Sequence, residues 1–123
     1  MATKVLVVDD SNVSRKMLIR SLPPEWDIDI SQAGNGEEAL TAYREGKAEV
    51  MFLDLTMPVL DGYGVLEALQ KDGMNCFVVV VTADIQPEAE ERVKKLGAMA
   101  FVKKPVQMDK LIPILKEHGI YDQ

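Results

Sequence analysis

Five short strand-like runs divide this chain, and each is followed by a stretch with helical spacing. They are Val5-Leu6-Val7-Val8, Asp27-Ile28-Asp29-Ile30, Val50-Met51-Phe52-Leu53, Phe77-Val78-Val79-Val80-Val81, and Ala98 to Val102. Four are mostly apolar, which marks strands buried on both faces. The second alternates polar and apolar residues, which suits a half-exposed strand. Helical patterns fill the gaps. Ser11 to Leu22 is stopped by Pro23-Pro24, and Glu37 to Arg44 is stopped by Gly46. Asp61 can cap a helix that runs to Lys71, although Gly62 and Gly64 weaken its first turn. Pro87 suits the first turn of a helix ending before Gly97. The last helix, Met108 to His118, carries an unwelcome Pro113. Strand and helix alternating five times means an α/β protein with a parallel sheet wound on both faces. With 123 residues, the expectation is one domain over 1–123.

Composition narrows the function. Fourteen Lys and Arg stand against twenty Asp and Glu, a net charge of −6, so nucleic acid held by a basic surface is not expected. One cysteine excludes an internal disulfide framework, and one histidine excludes a multi-His metal site. No apolar run approaches the ~20 residues of a membrane span. Met1-Ala2-Thr3-Lys4 leads straight into a strand, so no secretory signal is expected and the cytoplasm is the expected location. Several residues have bland readings. Cys76 reads as a small half-buried hydrophobe, His118 as a helix-end partner, Lys94-Lys95 as a solvated helix face, and the seven Met as core filler.

In open α/β sheets, ligands bind at the carboxyl ends of the strands, where strand order reverses. Asp9 and Asp10 follow the first run, Asp54 the third, Thr82 the fourth, and Lys103, Lys104 and Pro105 the fifth. Ser31 and Gln32 follow the second and are less informative. Each residue alone can be a cap or a turn. Together they bring several carboxylates to one sheet edge. Two such charges ~5 Å apart repel by about 3 kcal/mol at an effective dielectric near 20. That cost calls for a cation. Hard oxygen donors without Cys or clustered His select Mg²⁺, with Mn²⁺ as a substitute. The chemistry implied is phosphoryl transfer to a carboxylate. Asp54 is the candidate nucleophile, Asp9 and Asp10 the metal pair, Lys104 the cationic partner, and Thr82 a hydrogen-bond donor to a phosphoryl oxygen.

The same residues resemble the receiver domains of two-component response regulators. The matching motifs are Val5-Leu6-Val7-Val8-Asp9-Asp10-Ser11, Ala33-Gly34-Asn35-Gly36-Glu37-Glu38-Ala39-Leu40 and Leu53-Asp54-Leu55-Thr56-Met57-Pro58-Val59-Leu60-Asp61-Gly62. Val81-Thr82-Ala83, Gly97-Ala98 and Phe101-Val102-Lys103-Lys104-Pro105 complete the set. In length the chain is similar to the stand-alone, CheY-like members, which carry no output domain. The resemblance implies a flavodoxin-like, doubly wound five-stranded parallel sheet in the order 2-1-3-4-5 with five helices. It implies that Asp54 accepts phosphate from a histidine kinase and slowly loses it, so the chain is a phosphoacceptor rather than an enzyme with a separate substrate. Asp10 and Asp54 would ligate Mg²⁺ directly, Asp9 directly or through water, and the Thr56 backbone carbonyl would complete the set. Lys104 would contact the phosphoryl group, or pair with Asp54 before phosphorylation. The Lys104-Pro105 peptide would be cis. Thr82 and Phe101 would form a switch that remodels the face made by the fourth helix, fifth strand and last helix. A target such as the flagellar switch, and a phosphatase, would dock there. Thr56 and Asp84 would tune dephosphorylation.

Departures from the family pattern carry expectations too. Phe101 lacks a tyrosine hydroxyl, so it fills a pocket without hydrogen bonding. Leu55 leaves no tryptophan beside Asp54, and Trp26 should report phosphorylation poorly. Output by protein contact in chemotaxis or motility competes with a phosphate sink, a relay intermediate and a phosphorylation-independent interaction module. A hydrolase resembling the haloacid dehalogenases would need an acid where Thr56 stands. A nucleotide or flavin binder would need a phosphate cradle where Asp9-Asp10-Ser11 stands. Nothing demands more than a monomer.

Overall fold

The computed structural model describes residues 2–83 and 86–121. Strands β1 (Thr3–Val8), β2 (Ile28–Ala33), β3 (Val50–Leu53), β4 (Phe77–Thr82) and β5 (Ala100–Lys103) form one sheet in the order β2-β1-β3-β4-β5. Every neighbouring pair is parallel. Helices α1 (Asn12–Arg20), α2 (Gly36–Arg44), α3 (Gly62–Lys71), α4 (Pro87–Lys95) and α5 (Met108–Glu117) connect and follow the strands.

Alternation along the strands sends side chains to two separate cores. Val5, Val7, Phe52, Val79 and Val81 pack with Leu18 of α1 and with Leu111 and Leu115 of α5. Leu6, Val8, Leu53, Val78 and Val80 pack with Ala39, Val65, Leu69 and Val93 of α2, α3 and α4. The split explains why β1, β3 and β4 are continuously apolar. Both faces are covered, and burying one Val or Leu side chain contributes about 1.5–3 kcal/mol. Phe101 shares the α2–α4 face with its neighbour Val80, and Thr82 lies two residues further along that face.

Helix ends follow the local chemistry read from the sequence. Ser11, Asn35 and Asp61 cap α1, α2 and α3, each accepting from a backbone N–H three residues on. Pro87 stands at the start of α4, and Gly46 and Gly97 lie just past α2 and α4 with positive φ. His118 is the C-cap of α5. Lys94 and Lys95 pair with Glu90 and Glu91 one turn earlier on an exposed face. Cys76 is half-buried, and burial raises its thiol pKa to about 11. Trp26 packs against Tyr121, away from the acidic edge, with ring centroids 5.7 Å apart.

Several local expectations need correction, and the fifth strand starts at Ala100 rather than Ala98. The second strand does not stop at Ile30. Ser31, Gln32 and Ala33 continue it, because β1 offers pairing partners as far as Val8. On an edge strand, ladder hydrogen bonds outweigh the polar composition of those residues. The first helix ends at Arg20 rather than Leu22. The Ser21 hydroxyl turns back to the Met17 carbonyl and also donates to the Val106 carbonyl, and Leu22 precedes a proline, which disfavours helical backbone. Pro113 lies inside α5, beyond its first turn, but faces solvent while Leu111 and Leu115 hold the helix to the sheet. Packing of that apolar face outweighs the local cost of the proline. Of the methionines, Met51 and Met57 are core residues, whereas Met17 stands exposed on α1.

Candidate functional site: an acidic cluster at the sheet edge

The order β2-β1-β3 reverses the winding between β1 and β3, and the site sits at the carboxyl ends of those two strands. The Asp54 N–H donates to the Val8 carbonyl at 3.0 Å, and the Asp9 N–H to the Ala33 carbonyl at 3.1 Å. These bonds carry the parallel ladder one residue past each strand. Asp9 and Asp54 are therefore neighbours on a rigid edge. Both are buried, each 6% exposed, while Asp10 reaches solvent. One carboxylate oxygen from each of Asp9, Asp10 and Asp54 lies within 4.8 Å of the others.

Lys104 arrives from the end of β5, where its N–H donates to the Thr82 carbonyl at 2.8 Å. The Lys104–Pro105 peptide is cis, as the resemblance implied. The Lys104 ammonium donates to Asp9 Oδ2 at 2.6 Å and lies 3.4 Å from Asp54 Oδ1. It therefore bridges two acids and sits closer to Asp9 than to the expected partner Asp54. Asp9 Oδ1 also accepts from the Ser11 N–H at 2.9 Å, so both oxygens of Asp9 are engaged. Ser11 is thus both a helix cap and a brace for the cluster.

Burial pushes the Asp54 carboxyl pKa up. The Lys104 charge opposes that shift, and the Asp9 charge adds to it. A cavity of about 290 Å³ opens beneath the cluster, lined by Val7, Met17, Leu18, Phe52 and Val81 beside Asp9, Asp54 and Lys104. For Lys104, burial works to lower the pKa. The hydrogen bond to Asp9 and the charges of Asp54 and Asp9 outweigh it and hold the ammonium pKa above its usual value. The attraction thus governs Lys104, whereas desolvation governs Asp54.

Three carboxylates against the one ammonium that touches them leave the cluster net negative, which favours a divalent cation. The donors are hard oxygens, and Asp10 opens the cluster to solvent, where a hydrated ion can approach. The residues therefore fit Mg²⁺ or Mn²⁺. Thr82 ends β4 at the same edge, and its side chain is buried. Thr56 is exposed two residues beyond Asp54, and Phe101 is partly buried against the α2–α4 core. Asp84, expected to tune dephosphorylation, lies outside the described residues.

The loop after Asp54 holds features that residue type did not announce. Gly62 donates its N–H to the Leu55 carbonyl at 3.0 Å, and Gly36 donates to the Leu60 carbonyl at 3.1 Å. A Cβ on Gly62 would stand 2.5 Å from the Asp54 carbonyl oxygen, and one on Gly36 would stand 2.3 Å from that of Leu60. The two glycines are required for close approach, which is the reason Gly62 stands in a first helical turn it weakens. Val59 has φ of 69°, unusual for a β-branched residue, at the centre of a tight turn in which the Leu60 N–H donates to the Pro58 carbonyl at 2.8 Å, and is 72% exposed. Such strain costs about 1–2 kcal/mol. Val59→Gly is expected to relieve that strain and raise stability by up to about 1 kcal/mol, seen as a higher urea midpoint with an unchanged slope. An unchanged or lower midpoint would contradict the strain.

Fold and edge together define a receiver module, and comparison with known families agrees. The response regulator receiver domain model matches residues 5–116, and the chain belongs to that family. Among curated relatives, the chemotaxis protein CheY of Halobacterium salinarum is 29% identical over 95% of this chain and 97% of its own length. CheY of Listeria monocytogenes is 32% identical over 93% and 96%. A protein-glutamate methylesterase/protein-glutamine glutaminase of Syntrophomonas wolfei is 37% identical over 83% of this chain, but the match spans only 30% of that longer protein. A solved CheX–CheY complex with BeF₃ and Mg²⁺ from Borrelia burgdorferi superposes with a TM-score of 0.86 at 27% identity, covering 97% of this chain and 90% of the other. A chemotaxis response regulator of Vibrio cholerae gives 0.84 at 27%, covering 96% and 99%. The chain is thus a CheY-like receiver domain of two-component signalling. Among the described residues, no helix is long and apolar enough to cross a membrane.

Proposed function

We propose that residues 1–123 work as one phosphorylation-activated receiver, with Asp54 as the acceptor. The observation that carries this reading is the buried Asp54 carboxylate, 3.4 Å from the Lys104 ammonium and clustered with Asp9 and Asp10. A carboxylate oxygen of Asp54 forms the new O–P bond as the P–N bond of a kinase phosphohistidine breaks. The imidazole nitrogen keeps the electron pair and takes a proton from solvent. Asp10, Asp54 and the Thr56 carbonyl would hold Mg²⁺, with Asp9 ligating directly or through water. Bound Mg²⁺ supplies charge neutralisation for the phosphoryl oxygens. Lys104 has a donor geometry suited to a phosphoryl oxygen once it leaves the acids, and Thr82 stands on the same edge to donate another hydrogen bond.

The output would pass from Thr82 through Phe101 to the face of α4, β5 and α5. Thr82 and Phe101 share one face of adjoining strands, which supports this route. A target protein and a phosphatase would dock there. The Borrelia relative, solved with CheX, BeF₃ and Mg²⁺, supports both the metal and a protein partner. Chemotaxis or motility is the favoured setting, since CheY relatives match along nearly their whole length. A shift from 1:99 to 99:1 between conformations would need about 5.5 kcal/mol of differential stabilisation from the phosphoryl group.

The test is the intact mass of the folded protein after brief treatment with acetyl phosphate and Mg²⁺, with fragment masses to locate the group. One phosphoryl adduct on Asp54, lost when a chelator replaces Mg²⁺, is expected. A folded protein that gains no adduct at any time would leave a phosphorylation-independent interaction module in its place.

A further inference from the structure

Arg15 stands on α1 beside the acidic edge, and all three guanidinium nitrogens are engaged there. Nε donates to Gln32 Oε1 at 2.8 Å, Nη1 to the backbone carbonyl of Asp9, and Nη2 to Asn12 Oδ1. The contact with the Asp9 carbonyl matters most. That carbonyl belongs to the peptide joining Asp9 to Asp10, so its orientation sets where both carboxylates point. The other contacts fix Arg15 itself. Gln32 comes from the end of β2, and Asn12 from the first turn of α1. A planar fork held at three points defines an orientation that a flexible ammonium cannot reproduce.

We propose that Arg15 is a positioning residue for the metal acids. With Gln32 as its anchor, it holds the Asp9–Asp10 peptide so that both carboxylates face the cation. The inference rests on the Mg²⁺ reading above. It also explains the placement of Gln32. The end of the second strand carries no ligand, but it supplies the fixed point from which the arginine reaches the first. Outer partners of metal ligands that fix ligand orientation typically contribute 10–100-fold to metal affinity.

Two physical effects predict opposite signs. Removing Arg15 takes a positive charge away from the acidic edge, and Coulomb repulsion alone would then let a divalent cation bind more tightly. Loss of positioning instead makes binding weaker. Calorimetric titration of the full chain with Mg²⁺, repeated with Mn²⁺ by electron paramagnetic resonance, reads the sign directly without any phosphoryl transfer. Arg15→Ala is expected to weaken Mg²⁺ binding about tenfold. Arg15→Lys restores the charge without the fork and should remain several-fold weaker than wild type, about threefold or more. Gln32→Ala changes no charge and should weaken binding about threefold, which keeps the test decisive if Arg15→Ala fails to fold. Folded variants that bind Mg²⁺ as tightly as wild type, or more tightly, overturn the positioning role while leaving the metal site intact. A wild-type protein that binds no Mg²⁺ overturns the metal reading and this inference with it.

Discussion

Asp54→Asn is expected to take up no phosphoryl group from acetyl phosphate and Mg²⁺, and to melt above wild type when a chelator is present. The first effect follows from chemistry. An amide oxygen is neutral and a poor nucleophile, and the neighbouring Asp9 is occupied by Lys104 and the Ser11 N–H. The second follows from burial. Desolvation of the Asp54 carboxylate outweighs the attraction of Lys104, so the ionised group lowers the stability of the fold. Removing its charge does not strand Lys104, which keeps Asp9 at 2.6 Å. Replacing the buried charge is therefore expected to stabilise the cation-free fold.

The pH dependence has a definite sign. The folded pKa of Asp54 lies above its unfolded value, so the destabilisation is present above the folded pKa and fades as pH falls through it. The difference in melting temperature between variant and wild type should therefore shrink on acidification. Lys104 acts the other way. Its raised pKa contributes stability that is fully present below the unfolded lysine pKa and is lost as pH rises through the folded one. Intact mass and thermal melts across pH check both statements. An Asp54→Asn protein phosphorylated as fully as wild type would remove Asp54 as the acceptor.

The second large effect is structural and lies against the same residue. Gly62→Ala is expected to cost about 3 kcal/mol and to slow phosphoryl uptake in whatever protein remains folded. Its Cβ would stand 2.5 Å from the Asp54 carbonyl oxygen and 2.8 Å from the Leu55 Cα. Both obstacles are backbone, so no rotamer change relieves them. The shift has to be taken up by the strand end that carries Asp54. Gly64→Ala provides the contrast, since its Cβ would meet Leu60 Cδ1 at 2.4 Å, the far end of a flexible side chain. Urea midpoints should therefore fall much further for Gly62→Ala than for Gly64→Ala. Equal small losses would show that the loop after Asp54 is pliable.

Much of the molecule is legible in its amino-acid sequence. Val5 to Val8, Val50 to Leu53 and Val78 to Val81 are apolar at every position because helices cover both faces of their strands. Alternating with helices, such strands pair in parallel, and parallel strands send all their carboxyl ends to one edge. The convergence of Asp9, Asp10, Asp54, Thr82 and Lys104 follows from those two facts and the family motifs. Ser11, Asn35 and Asp61 as caps, and Gly46 and Gly97 as stops, follow from chemistry confined to a few neighbouring residues.

Other features depend on partners far away along the chain. Ser31 to Ala33 become strand only because β1 pairs with them, and no local pattern records the length of a neighbour. The choice of Lys104 for Asp9 over Asp54 is settled by less than an ångström of placement between two loop ends. The need for glycine at 36 and 62 arises where one backbone passes against another. Nothing local marks Arg15, whose role depends on β2 bringing Gln32 beside it. Composition and periodicity determined the parallel sheet and the residues on its working edge, because these obey short-range rules, whereas the strand order followed from the family resemblance. Distances between charges, and the space between backbones, were decided by the tertiary structure, because they are set by how separate elements meet.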